Sequence, residues 1–326
     1  MKLSNMALGA CFALGLTGLP GATGTMYAQA ETLSETRQKV NQNVVGIMAG
    51  SLGGSDLSLA ADMGLALSNG YDLRVVPMVG LGSVKDVEDL LFLRGIDMAI
   101  VQQDVIDFMA SNEIFPNIKS AVRLMAPLNV DQFHVLASKD FRSIYDLAGQ
   151  QVNYGPTDGG TFMTSSVVFD TLGIDVEVTT YPHQVALDKL RNGEIAAMMR
   201  ASGKPVSVIE EVKPGEPMHL LSVPADSLRG IYTPTALSSA DYPALIDPSL
   251  PVNTVAVANA LISYNWPKGH PRGESLKRFA NALFANYSNF LEGGYHESWG
   301  EIDLGLNIAG VPRHWSSEEA LSNLTQ

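Results

Sequence analysis

Two segments rich in glycine and hydroxyls carry the densest chemistry in the chain. They are Gly50-Ser51-Leu52-Gly53-Gly54-Ser55 and Gly155-Pro156-Thr157-Asp158-Gly159-Gly160-Thr161. Each follows a short apolar run and precedes an amphipathic one. Glycine lets backbone N–H groups approach a bound group, and Ser and Thr add hydroxyl donors. At a helix N-terminus such a loop suits a carboxylate or phosphate, because the first N–H groups are unpaired and the helix dipole is positive there. The same residues also build plain turns, with a Ser cap in the first and Asp158 or Thr161 capping in the second. The first loop is not a P-loop, since no Lys-Ser/Thr pair follows at the required spacing. Ala49-Gly50-Ser51-Leu52-Gly53 matches a loosened nucleophile elbow, which would make Ser51 the nucleophile of a secreted serine hydrolase. An elbow needs an oxyanion loop and several strands upstream, and only about twenty residues lie between the cleaved leader and Ser51.

Further polar groups stand at other strand-to-helix junctions. Gly80-Leu81-Gly82-Ser83 offers Ser83 as an N-cap, with Asp86 in the first turn. Gln102-Gln103-Asp104 follows an apolar run, and its side chains either face a ligand or cap the next helix. Arg200-Ala201-Ser202-Gly203-Lys204-Pro205 places cations at a strand's carboxyl end in a chain with only 21 Lys and Arg. There Lys204 could pair with a ligand carboxylate or stand as a solvated surface lysine. The six histidines, at 134, 183, 219, 270, 296 and 314, include no pair with metal-ligand spacing. No Ser/His/Asp set sits on suitable loops. No catalytic residue, metal or cofactor is expected.

The elements that position these residues alternate between strand and helix. Strands are expected over 44–48, 73–79, 98–101, 133–137, 152–154, 176–180, 196–199, 219–223 and 254–263. Helices are expected over 56–68, 83–93, 144–147, 161–172, 184–191, 274–291, and shorter ones near 297–304 and 317–324. The longest of these has a continuous apolar face of Leu276, Phe279, Ala280, Leu283, Tyr287, Phe290 and Leu291, ended by Gly293-Gly294. Residues 31–42 read as a polar lead-in and 228–251 as a long Pro- and Ser-rich connection. Strand–helix alternation indicates βαβ units and a mainly parallel sheet. The pattern restarts after Pro127, giving two blocks with one Gly-rich loop each. Ligands of open α/β sheets sit beyond the carboxyl ends of strands, so two facing lobes would bring both loops into one cleft.

Composition bounds the function. The chain has 326 residues, 46% hydrophobic and 17% charged, and a net charge of −13. That is enough apolar sequence for about two domains, and the acidic balance argues against nucleic acid. Residues 1–30 read as a secretory leader: Lys2, an apolar stretch too short for a membrane span, and Ala28-Gln29-Ala30 as the cleavage site. Leu8-Gly9-Ala10-Cys11 resembles a lipoprotein box, but too few apolar residues precede it. Cleavage after Ala30 removes the single cysteine, Cys11, and shifts the net charge to −14. A thiol-free chain suits an oxidising periplasm.

Taken together, these motifs resemble the substrate-binding proteins of TRAP transporters, in their TAXI branch. Gly50-Ser51-Leu52-Gly53-Gly54-Ser55 stands where that family has a Gly-Ser-x-Gly-Gly-Thr-Tyr-like loop, with Asp56 and Leu57 in place of the aromatic. Val76-Pro77-Met78-Val79-Gly80-Leu81-Gly82-Ser83-Val84 matches its next segment with one extra residue. Ile96 to Asp104, Asp146 to Pro156, Gly159-Gly160-Thr161, Asn253 to Val257 and Gly310-Val311-Pro312 follow in the family's order. Gly203-Lys204-Pro205 carries a cation where many members have uncharged residues.

The resemblance implies a two-lobed type II periplasmic binding protein, α/β in class. It also implies a receptor that captures a small organic anion, such as glutamate or a 2-oxo acid, for TRAP-type permease subunits. Lobe I is expected over 44–126 plus 252–326, lobe II over 127–224, and a connection near the hinge over 225–251, with hinge crossings near Pro127 and Pro251. Ser51, Gly54, Ser55, Gly82, Ser83 and Gln102 are the expected ligand contacts from lobe I. Thr157, Gly160, Thr161, Ser202 and Lys204 are those from lobe II. A periplasmic sensor that signals to a membrane kinase would share all these features.

Overall fold

The computed structural model describes residues 32–50, 55–70, 72–157, 159–308 and 310–324. The expected leader, with Cys11, and the loop residues Ser51 and Gly54 lie outside them. The first half runs α1 (Leu33–Asn41), β1 (Val44–Ala49), α2 (Ser55–Leu67), β2 (Arg74–Val79), α3 (Ser83–Phe92), β3 (Met98–Gln102), α4 (Gln103–Ser111) and the one-turn α5 (Ile118–Ala121). A 17-residue strand, β4 (Val122–Ser138), leads into β5 (Gln151–Asn153), α6 (Gly160–Leu172), β6 (Glu177–Thr179) and α7 (His183–Arg191). Then come β7 (Ala197–Ser202), α8 (Ser207–Glu210), β8 (Met218–Leu220), β9 (Thr233–Leu237) and β10 (Val252–Tyr264). The chain closes with α9 (Pro271–Ala285), α10 (Tyr287–Phe290) and α11 (Trp315–Leu324).

The strands form a sheet in the order β2-β1-β3-β10-β4-β7-β5-β6, with β8 on β4 and β9 on β10. β1 pairs in parallel with β2 and β3, and β5 with β6 and β7, as two βαβ blocks require. The antiparallel pair β4 and β10 joins the blocks. Met125 and Leu128 of β4 and Leu261 of β10 pack in the core of the first half, while Phe133 and Val135 of β4 and Val255 and Val257 of β10 pack in that of the second. At the waist between these cores the buried side chains turn polar: Asn129, Asp131, Gln132 and Asn259. The ladder shifts register between Ala258 and Ala260, beside Pro127, which has no N–H to donate.

Four expectations change. The break foreseen at Pro127 is no break, because β4 runs through it; the polar waist had interrupted the apolar pattern that marks a strand. The polar lead-in contains α1, held by a capping box in which Thr32 and Glu35 satisfy each other's backbone N–H groups. The connection over 225–251 is built into the second half: β9 pairs with β10, and Leu237, Tyr242 and Ile246 are core residues. The long helix expected over 274–291 stops at Ala285 and resumes as α10 after Asn286.

Candidate ligand-binding site between the two halves

The carboxyl ends of the parallel strands and the N-termini of their helices meet at a cavity of about 190 Å³. The first half lines it with Gly50, Ser55, Asp56, Gly82, Ser83 and Gln102, and Asp131 enters from the β4 waist. The second half adds Gly159, Gly160, Thr161, His183, Arg200 and Ser202. Four helices, α3, α4, α6 and α7, begin at this lining after Gly82, Gln102, Gly159 and Pro182, and none of the four has a side-chain cap. Ser83 is thus the first residue of α3 rather than its cap. Uncapped first-turn N–H groups are free to hold an anion.

Asp86 organises the first wall. Its carboxylate accepts from the N–H of Gly50 at 3.1 Å and of Leu81 at 3.0 Å, tying together the loops after β1 and β2. Burial raises its pKa to about 6 against the pull of these donors. A Cβ at Gly80 would lie 2.1 Å from Asp86 Oδ1, so only glycine fits there. Gly160 is under the same constraint across the cleft, since a Cβ there would stand 1.9 Å from Gln102 Oε1.

Arg200 dominates the second wall. Its guanidinium donates to His183 Nε2 at 2.7 Å and to Thr161 Oγ1 at 3.4 Å, and its Nε has no partner. Burial, and then the Arg200 charge, push the His183 pKa down to about 3, so His183 is a neutral acceptor. A buried chain fixes the Arg200 backbone. The Val206 N–H donates to Tyr242 Oη at 2.8 Å, and Tyr242 O–H lies 2.8 Å from His134 Nε2. His134 Nδ1 in turn lies 3.2 Å from the Arg200 carbonyl. Burial holds His134 near pKa 4, so it is neutral and its N–H is placed on Nδ1 by the carbonyl it faces.

The acids of the waist and of α2 are less satisfied. Asp131 Oδ2 accepts from Gln102 Nε2 at 2.6 Å, whereas Asp131 Oδ1, Gln102 Oε1 and Asp56 Oδ1 are inaccessible to solvent and accept nothing. Burial raises the Asp131 pKa, opposed by the Gln102 and Asn259 side-chain amides, by the Arg200 charge and by the Gly203 N–H. Asp56 is pushed well above the usual carboxylate range by burial and then by Asp131. Asp104 braces the halves beside the cavity: its Oδ2 accepts from Thr164 Oγ1 of α6 at 2.7 Å and from Tyr232 Oη at 2.8 Å. It caps nothing.

Of the residues singled out in the sequence, Ser55, Gly82, Ser83, Gln102, Gly160, Thr161 and Ser202 come together on the cavity. Thr157 is exposed and lies off its lining. Lys204 also lies off it: its ammonium is 3.0 Å from Asp241 Oδ2 and donates to the Ala236 carbonyl, so its charge is spent inside the second half. Arg200 is the cation that faces the cavity. Sequence reasoning passed over Asp56, Asp131 and His183. For Asp131 a signal existed, because Asn129, Asp131 and Gln132 cluster as polar residues between the apolar runs of β4.

Among the described residues no helix is long and apolar enough to cross a membrane, and no group of His, Cys, Asp and Glu could hold a metal. Among curated proteins, no sequence matches the chain. Solved structures do resemble it. A protein of Bordetella bronchiseptica RB50 superposes with a TM-score of 0.52 at 12% identity, over 87% of this chain and 98% of that one. A TctC solute-binding protein from Polaromonas aligns over 79% and 86% at 12% identity, with a TM-score of 0.48. The periplasmic sulfonate-binding protein SsuA from Methylobacillus flagellatus KT aligns over 77% and 69% at 16% identity, with a TM-score of 0.42. The chain shares its mixed α/β fold, two βαβ blocks joined by an antiparallel pair, with the Bordetella protein. Residues 47–288 match a family whose span covers most of the chain and both halves of the cleft, and on that match the protein belongs to the NMT1-like family.

Proposed function

We propose that the protein is an extracytoplasmic solute receptor. It is exported by residues 1–30, captures a small organic anion in the cleft, and delivers it to TRAP-type permease subunits. The proposed lobes are 44–126 plus 252–326 and 127–224, with 225–251 joining the second and the hinge at the polar waist of β4 and β10. The observation that carries this reading is the convergence of four uncapped helix N-termini and the Arg200 guanidinium on one cavity. Charge on a ligand is balanced there by backbone dipoles and by a cation that, among the described residues, no carboxylate neutralises through a hydrogen bond. With a volume of about 190 Å³, the site has room for roughly six waters, or one small metabolite. Both halves line it, so a solute held there makes its full set of contacts only when the lobes are closed, and binding favours the closed state by that difference. Serine hydrolysis is no part of this reading.

Thermal melting against a panel of small carboxylates, amino acids and 2-oxo acids tests it. At least one member is expected to raise the melting temperature without being consumed. A panel with no stabilising member would overturn the reading.

A further inference from the structure

We infer that the ligand is a zwitterion, whose acid group is held by Arg200 and the helix N-termini and whose cationic N–H group is held by Asp131 and Gln102. This rests on the receptor reading above and decides between the ligand classes it allows. Asp131 and Gln102 are 5% and 4% exposed, line the cavity, and each leave one oxygen without a donor. The orientation of the Gln102 amide is fixed by Asp131: Nε2 faces the carboxylate at 2.6 Å, so the oxygen is the atom left free. Asp56 Oδ1 is a third unpartnered acceptor on the same wall.

Arg200 does not supply the missing donor: its hydrogen bonds go to His183 and Thr161, and its Nε–H meets no acceptor. A ligand with only carboxylates or ketones would bring acceptors to acceptors and set a second negative charge against Asp131. A primary ammonium offers three donors and the opposite charge. It would also favour ionised Asp56, whose charged form is otherwise opposed by burial and by the Asp131 charge. The two walls thus ask for different ends of one molecule.

The test uses matched probes on the full mature chain: the L-amino acids, the 2-oxo acids with the same carbon skeletons, and the amines that lack the carboxylate. Titration calorimetry reads each affinity. The expected result is an amino acid that binds at least about tenfold tighter than both its 2-oxo acid and its amine. Asp131→Asn should erase the preference over the 2-oxo acid, and Asp56→Asn should weaken it if the first variant does not fold. A 2-oxo acid that binds as tightly as its amino acid overturns the inference and leaves the receptor reading standing. Binding by no probe overturns both.

Discussion

The two walls of the cleft are built alike and charged oppositely. Each presents uncapped helix N-termini at the ends of parallel strands. Yet the first wall and the waist contribute Asp56 and Asp131, with Asp86 buried behind the lining, while the second contributes Arg200 beside a neutral His183. Of the three acids, Asp86 is committed to backbone donors, but Asp56 and Asp131 keep free oxygens. Buried charges without partners are costly, yet Arg200 bonds to His183 and Thr161 and Asp131 to Gln102, with no hydrogen bond between the two. On the zwitterion reading, that pairing is left to the two ends of the ligand.

The comparison can be broken from either wall. Arg200→Ala has the largest expected effect. Removing the desolvated partner of a ligand acid should weaken binding by about 100-fold or more, read by calorimetry, with the fold retained. Gly160→Val should come next. Its side chain would occupy the space of Gln102 Oε1 and would also approach Ser83 Oγ, 3.2 Å from a Cβ at this site. The halves could then not close fully, and affinity should fall by about tenfold or more.

Asp104→Asn sharpens the comparison at the brace rather than at the ligand. Burial raises the Asp104 pKa from 3.8 to about 6 in the folded state. Between about pH 4 and 6 the folded protein therefore holds a proton that the unfolded chain has lost. The wild type should lose up to about 2–3 kcal/mol across that window as pH rises, and the variant should not. Asp86 shares the direction, while the low pKa values of His134 and His183 act in the opposite one. The difference between wild-type and variant urea midpoints at pH 4.5 and 7 is thus the quantity to measure. The smallest effect is expected for Lys204→Ala. It should leave ligand affinity unchanged and cost less than about 1 kcal/mol of stability, because its partly exposed pair with Asp241 lies away from the cavity lining.

Most helices and strands were legible because their apolar periods are local. β1, α2, β2, α3 and β3 fall within two residues of the ends read from the sequence. What was missed is long-range. β4 and β10 read as shorter strands because the waist that carries Asp131 and Asn259 is polar, and nothing local says that those groups are buried. Lys204 and Arg200 look alike in sequence. Their difference comes from Asp241, 37 residues on, which neutralises the first, and from His183 and Thr161, which hold the second at the cavity. The glycines at 80 and 160 were read as loop residues. Their need for a missing Cβ appears only when Asp86 and Gln102 are in place.

Native mass spectrometry of the protein purified without denaturation addresses the central claim most directly. The account expects a retained small molecule that carries both an amine and an acid group, present on the wild type and lost from Arg200→Ala. A retained solute without a basic nitrogen, or one that Arg200→Ala keeps at full occupancy, would contradict it.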